Sequence, residues 1–123
     1  MSIKVAIPTD DGETIIRHFG QAKYFKVFIL DNNQVLSSEV REKASHQHGD
    51  HSQQGGVHPG QQMVESISDC QVLISGGMGT PAFARAGAAG LQVFLTSNHL
   101  IQSALEAYLA GTLVNDLTLM HSH

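Results

Sequence analysis

At 123 residues, with 41% hydrophobic and 15% charged content, the chain has room for one hydrophobic core and the composition of a folded globule rather than a disordered polymer. A formal charge of −4 and seven scattered Lys and Arg residues supply no basic stripe for phosphate backbones, which excludes nucleic acid as an expected partner. No apolar run approaches the roughly 20 residues of a membrane span, and the N-terminal stretch lacks a signal-peptide core. With one cysteine, Cys70, and so no internal disulfide, the expected compartment is a reducing cytoplasm.

Residues 3–8, "IKVAIP", form a short apolar run rich in β-branched side chains and closed by Pro8 and the polar "TDDGE", which predicts a buried strand and a loop. Two further strands are expected at 23–30 and 34–42. Between them Asn32 and Asn33 tolerate the positive φ of a tight hairpin turn, so this pair should be antiparallel. Residues 44–60 are rich in His, Gln, Gly and Ser and exceed the usual connection of about 4–6 residues. Met63, Val64 and Ile67 then recur at helical spacing, predicting a short helix from near Gly60.

A fourth strand is expected at 70–75, and "GGMGTPAFARAGAAG" after it predicts a helix capped by Thr80, with Pro81 at its first position and Gly90 at its end. A fifth strand follows at 91–96. Ser97 or Asn98 would cap the last helix, whose Leu100, Ile101, Ala104, Leu105, Tyr108 and Leu109 form one apolar stripe before Gly111. The order β, β, β, α, β, α, β, α describes a mixed sheet carrying helices. Residues 112–123 supply no element beyond a frayed end, with His121 and His123 either extending a metal site or fraying with it.

Four of the eight histidines, His46, His48, His51 and His58, fall in the loop spanning residues 43–60, and neutral imidazole binds zinc, copper, nickel and iron. The loop is either a metal-binding segment or a solvated one, since its spacing permits convergence without encoding it. A second group is "HFG", where His18 follows the first strand, Phe19 anchors the loop as a buried ring and Gly20 lets the chain turn. His18 is either a ligand at the carboxyl edge of the sheet or a histidine hydrogen-bonded to backbone.

A third group is "SGGMGTPAF", in which Gly76, Gly77 and Gly79 allow close approach to the backbone and the following helix start attracts anions. It matches neither a Walker A loop nor a dinucleotide fingerprint. The same glycines also suit a plain strand-to-helix turn. Cys70 reads as a small buried hydrophobe rather than a ligand. Asp10, Asp11 and Glu13 are close together but have no second acidic cluster to share two metals with, and Ser75 lacks a nucleophile-elbow context, so no catalytic machinery is expected.

Together "IKVAIPTDDGETIIRHFGQAKYFKVFIL", "VREKASHQHG", "DCQVLISGGMGTPAFARAGAAGLQVFLT" and "ALEAYLAGTL" resemble the dinitrogenase iron-molybdenum cofactor biosynthesis family over residues 3–114. The resemblance implies a ribonuclease-H-like α/β fold: a five-stranded mixed sheet, its second strand antiparallel to the rest, with three helices. It implies one domain over 1–123 and a non-enzymatic carrier of an iron-molybdenum or iron-sulfur cluster, or its precursor, working with cluster donor or recipient proteins as a monomer or weak homo-oligomer. By the same resemblance His18, Phe19 and Gly20 would face Gly76, Gly77, Met78 and Gly79 across the cluster, with the histidine loop beside them. The alternative from a different class is a buffer or sensor holding zinc, nickel or copper on His46, His48, His51 and His58.

Overall fold

The computed structural model describes residues 2–19, 22–42, 64 and 66–121. The histidine-rich segment, the expected helix start near Gly60, Gly20 and His123 lie outside the described residues. Strands β1 (Ser2–Thr9), β2 (Tyr24–Asp31) and β3 (Gln34–Glu42) are followed by β4 (Val72–Ser75), the two-residue β5 (Met78–Gly79), helix α1 (Thr80–Ala88), β6 (Gln92–Leu95), helix α2 (Ile101–Ala110), a 3-10 turn at Leu117–Leu119 and β7 (Met120–His121). Five strands make one sheet in the order β3-β2-β1-β4-β6.

β2 runs antiparallel to both β1 and β3, whereas β4 is parallel to β1 and β6 to β4. β2 is therefore the one reversed strand of this sheet, as the family resemblance implies. The hairpin turn that reverses it has φ of 54° at Asn32 and 62° at Asn33, both in the left-handed region that asparagine tolerates. β3 is an edge strand, exposed along nearly its whole length, and its pairing slips by one residue between Ile29 and Leu30 of β2, the mark of a bulge.

Side chains alternate across the sheet, so the two faces build separate cores. Ala6, Phe25, Val27 and Leu73 face Ala82 and Ala86 of α1, together with Val64 and Ile67. Val5, Ile7, Val72 and Ile74 face Ile101 and Ala104 of α2. The helices thus cover opposite faces. Among the described residues there are two complete α-helices rather than the three expected. Where the third was expected, Val64 and Ser66 are helical and a turn follows at 67–69, with Ile67 N–H donating to the Val64 carbonyl.

Both helix starts also differ from the prediction. Gly79, not Thr80, is the N-cap of α1, because pairing in β5 holds the chain extended up to that residue; Pro81 still sits in the first turn. Leu100, not Ser97 or Asn98, is the N-cap of α2, since the β-bridge between Thr14 and Leu100 keeps the preceding loop extended. The C-terminal signals hold. Gly111 is left-handed at φ 78° and closes α2, the Thr112 N–H donating to the Ala107 carbonyl at 2.9 Å.

One ionic cluster ties β1, β3 and the turn before β4. Arg41 grips the Asp69 carboxylate with two bonds of 2.7 and 2.9 Å, and Lys4 reaches the same group at 3.0 Å. The Arg41 guanidinium, reinforced by Lys4, holds the Asp69 carboxyl well below the usual range. Asp11 is lowered to about 2 by the backbone N–H groups of Glu13 and Thr14. A carboxyl depressed in the folded state stabilises it above its unfolded pKa, near 4, and that contribution fades as pH falls through the folded value. Urea midpoints should therefore drop progressively between about pH 4 and pH 2. Asp69→Asn should cost on the order of 1 kcal/mol at neutral pH, a value discounted for its half-exposed side chain, and should flatten that acid limb.

Candidate functional site

The carboxyl ends of β1, β4 and β6 lie along one edge of the sheet, and each strand finishes on a buried hydroxyl: Thr9, Ser75 and, just past β6, Thr96. Each hydroxyl folds the loop that follows it. Thr9 Oγ1 accepts from Gly12 N–H at 2.9 Å, Ser75 Oγ donates to the Gly77 carbonyl at 3.0 Å, and Thr96 Oγ1 accepts from Asn98 N–H at 3.1 Å. The loop-shaping role of these three residues escaped the sequence reading, which weighed Ser75 only as a nucleophile, although "PTDD", "ISGG" and "LTSN" each carry a hydroxyl directly between an apolar run and a polar turn.

The loop after β1 is laced between the other two. On one side Ile15 N–H donates to the His99 carbonyl at 2.8 Å and Ile101 N–H to the Glu13 carbonyl at 3.0 Å. On the other, Gly76 N–H donates to the Ile16 carbonyl and Phe19 N–H to the Gly77 carbonyl, both at 3.2 Å. A Cβ on Gly76 would stand 2.7 Å from the Ile16 oxygen, so only glycine permits the two backbones to lie this close. "HFG" and "GGMG", far apart in sequence, are thus brought into direct contact.

Phe19 is 1% exposed and packs its ring 5.7 Å from that of Phe25, the buried anchor expected for this loop. His18, next to it, is exposed. Gly76 and Gly79 are partly exposed while Gly77 is buried. Met78 lies entirely within the core cluster beside Phe19, so its contribution to the outer face of the loop is backbone. Helix α1 starts at this loop with no side-chain cap and no acidic residue in its first turn, which leaves a partial positive charge there.

The acidic loop residues hold structure. Asp11 accepts from Glu13 N–H at 2.9 Å, from Thr14 N–H at 2.8 Å and from the Thr14 hydroxyl, while Asp10 accepts from Lys23 N–H at 2.9 Å. Cys70 sits before the amino end of β4, away from the glycine loop at its carboxyl end; burial pushes its thiol up to about 11, and the Asp69 carboxylate adds to the effect. Among the described residues no three His, Cys, Asp or Glu side chains cluster as a metal site. His46, His48, His51 and His58 lie outside the described residues. No helix among the described residues is long and apolar enough to cross a membrane.

Residues 112–121, which the sequence reads as a frayed end or as an extension of a metal site, follow a defined path. Asn115 Oδ1 accepts from Leu95 N–H at 2.9 Å and Asp116 N–H donates to the Leu95 carbonyl at 2.8 Å, so the segment covers the outer edge of β6. It then pairs in parallel with the glycine loop, Met120 opposite Met78 and His121 opposite Gly79.

Comparison with known proteins supplies the context. Three solved structures share the fold: that of PH0822 (TM-score 0.73, 22% identity, 95% of this chain and 99% of that chain covered); the apo form of the orange protein from Desulfovibrio gigas (0.72, 19%, 92% of each); and a Thermotoga protein of the DUF35 family solved by NMR (0.66, 26%, 94% of each). No curated protein matches the chain. The family described as dinitrogenase iron-molybdenum cofactor matches residues 1–111, the span that contains both "HFG" and "GGMG" and every strand of the main sheet, and the chain belongs to that family.

Proposed function

We propose that the protein is a non-enzymatic carrier that holds an iron-molybdenum or iron-sulfur cluster, or its precursor, at the edge formed by His18 and Gly76–Gly79, and passes it to partner proteins of cluster assembly. The observation that carries this reading is the backbone contact between Phe19 and Gly77, which sets an exposed imidazole beside a glycine loop at a helix start. A metal-sulfide cluster is bulky and anionic. Backbone N–H groups and a helix dipole attract such a cargo without gripping it, and one imidazole supplies a directional bond to iron. Few ligands favour release, as transfer requires. The same reading takes the architecture as ribonuclease-H-like, on the strength of a mixed sheet with β2 alone reversed, and places the protein in the cytoplasm, where such clusters are handled reduced.

The test is anaerobic reconstitution with iron, sulfide and molybdate, followed by desalting and visible spectroscopy. Wild-type protein should retain a stoichiometric chromophore, and His18→Ala should retain less than a tenth as much with an unchanged melting temperature. Should the chain instead take up only zinc, nickel or copper, stoichiometrically and in a manner lost on replacing His46, His48 and His51 together by alanine, the carrier reading is wrong and the chain is a metal buffer.

A further inference from the structure

We infer that the sheet face carrying α2 is a self-association surface, on which a second copy of this chain docks to form a weak two-fold dimer. The inference stands apart from the carrier reading. A five-stranded sheet is about 24 Å wide at the usual strand spacing, and one helix covers about 10 Å of it. On this face the core joins α2 to Val5 and Ile7 of β1 and to Val72 and Ile74 of β4, while β2 adds only Leu30 and the half-buried Phe28, and β3 adds nothing among the described residues. α2 therefore stands as a ridge beside an uncovered step made by β2 and β3.

The register fixes which side chains line that step. Lys26 and Phe28 lie opposite Ile7 and Val5, and Val40 and Val35 lie opposite Lys26 and Leu30, so all four share the face of α2. A groove of about 520 Å³ runs between ridge and step, with Leu105 and Leu109 in its wall and Phe28 and Val35 in its floor. Both ends are pinned by hydrogen bonds to backbone. Ile101 N–H donates to the Glu13 carbonyl at one end, and the Asn33 side-chain amide donates to the Leu109 carbonyl at the other. Val35, Val40 and Leu100 are exposed, so apolar surface continues past the groove on either side.

The charges at the groove identify its occupant. Lys26 lies on the step, its Nζ 5.7 Å from the centre of the Phe28 ring, and Glu13 and Glu106 lie on the ridge side. None of the three forms an ion pair among the described residues. An isologous interface has to complement itself, so one patch must carry both signs of charge and both a ridge and a recess. A two-fold axis parallel to α2 meets that requirement: it seats each ridge on the other copy's step and brings each Lys26 to the partner's Glu13 and the partner's Glu106. Each α2 then supplies the helix that the other sheet lacks. The eight- and nine-residue strands run about 27 Å, and two strands with a helix span about 20 Å, so the face is about 500 Å² per copy against roughly 800 Å² in a standard interface. Association should accordingly be weak and reversible. It leaves Phe19 and Met78 clear, since both belong to the core on the opposite face.

Sedimentation velocity of the full chain between about 10 μM and 1 mM should show a reversible monomer–dimer equilibrium with a dissociation constant of about 0.1 mM. Concentration-dependent shifts of methyl resonances should centre on Val40, Leu105 and Leu109. Lys26→Glu and Glu106→Lys should each weaken self-association about tenfold or more by setting like charges across the axis, whereas an equimolar mixture of the two variants should associate to within about threefold of wild type. Val40→Glu, at an exposed position outside the core, should weaken it as well, and thermal melts matching wild type confirm that each variant is folded. Wild type that stays monomeric at about 1 mM overturns the inference; if its Leu105 and Leu109 methyl signals then respond to anilinonaphthalenesulfonate, the groove takes a small apolar ligand instead. A dimer indifferent to both charge reversals and to Val40→Glu forms on another surface, and a mixture that associates no better than its components rules out the two-fold seating. Either result overturns the inference too.

Discussion

Phe19→Ala is expected to lower the free energy of unfolding by about 3–5 kcal/mol, the usual cost of emptying a fully buried aromatic site. The ring is closed in by Phe25, Met78 and their neighbours in the core facing α1, and the loop before it is held on both sides by backbone bonds. Collapse into the vacancy is therefore limited. For a domain whose total stability is about 5–15 kcal/mol this is a large fraction, visible as a displaced urea midpoint with little change in slope. The same substitution should release residues 16–19 from the glycine loop, so that binding of the proposed cluster cargo would have to reorder them at about 1–2 kcal/mol per residue. Binding should weaken at least tenfold even at temperatures where the variant is folded. Phe19→Leu, which keeps an apolar anchor, should recover most of both losses.

Gly76→Ala should cost about 2–3 kcal/mol, because its methyl group would fall 2.7 Å from the Ile16 carbonyl oxygen and 3.2 Å from the Arg17 Cα, both backbone atoms that cannot swing aside. Relief requires the two loops to part, which breaks the bond from Gly76 N–H to the Ile16 carbonyl. Gly87→Ala makes the informative comparison. Gly87 lies within α1, nothing stands within 4 Å of the position its Cβ would take, and alanine there should stabilise by roughly 0.5 kcal/mol through helix propensity. Opposite signs for one chemical change, read by parallel urea titrations, would show that Gly76 serves close approach rather than flexibility. Equal signs would remove the argument for a built contact between the loops.

How much of this was legible in the chain depends on the range of the interaction concerned. The β-branched runs and the Asn32-Asn33 turn encode their strands locally, so every strand of the main sheet was foreseeable; the antiparallel pairing of β2 with β3 followed from the two-residue connection, and β2 as the reversed strand from the family resemblance. Gly111 worked the same way, since a left-handed helix end is a one-residue property. Misread features were set by distant partners. Ser97 and Asn98 have good capping side chains, but the Ile15 and Thr14 backbones hold the neighbouring 99–100 stretch extended and delay the helix to Ile101. The tail was invisible for the same reason: neither "NDLTLM" nor "GGMG" has strand character alone, and each becomes a strand only against the other. In the site, His18, Phe19 and the glycines were marked by residue type. Their contact, and the hydroxyls that shape the loops, required the sheet to be assembled first.

The slipped register between Ile29 and Leu30 bears on how the molecule behaves at high concentration. β3 leaves one row of its backbone donors and acceptors unpaired with any strand among the described residues, and Val35, Leu36 and Val40 are 44%, 60% and 58% exposed. A straight, apolar border of this kind invites another chain to add itself and so begin a fibril. The extra residue on β3 bends that border midway, so an incoming strand in step with Glu39–Glu42 falls out of step by Val35. Charges at Glu39, Arg41 and Glu42 oppose the part that stays straight. A local irregularity in the ladder thus acts as a guard against edge-to-edge association of the sheet.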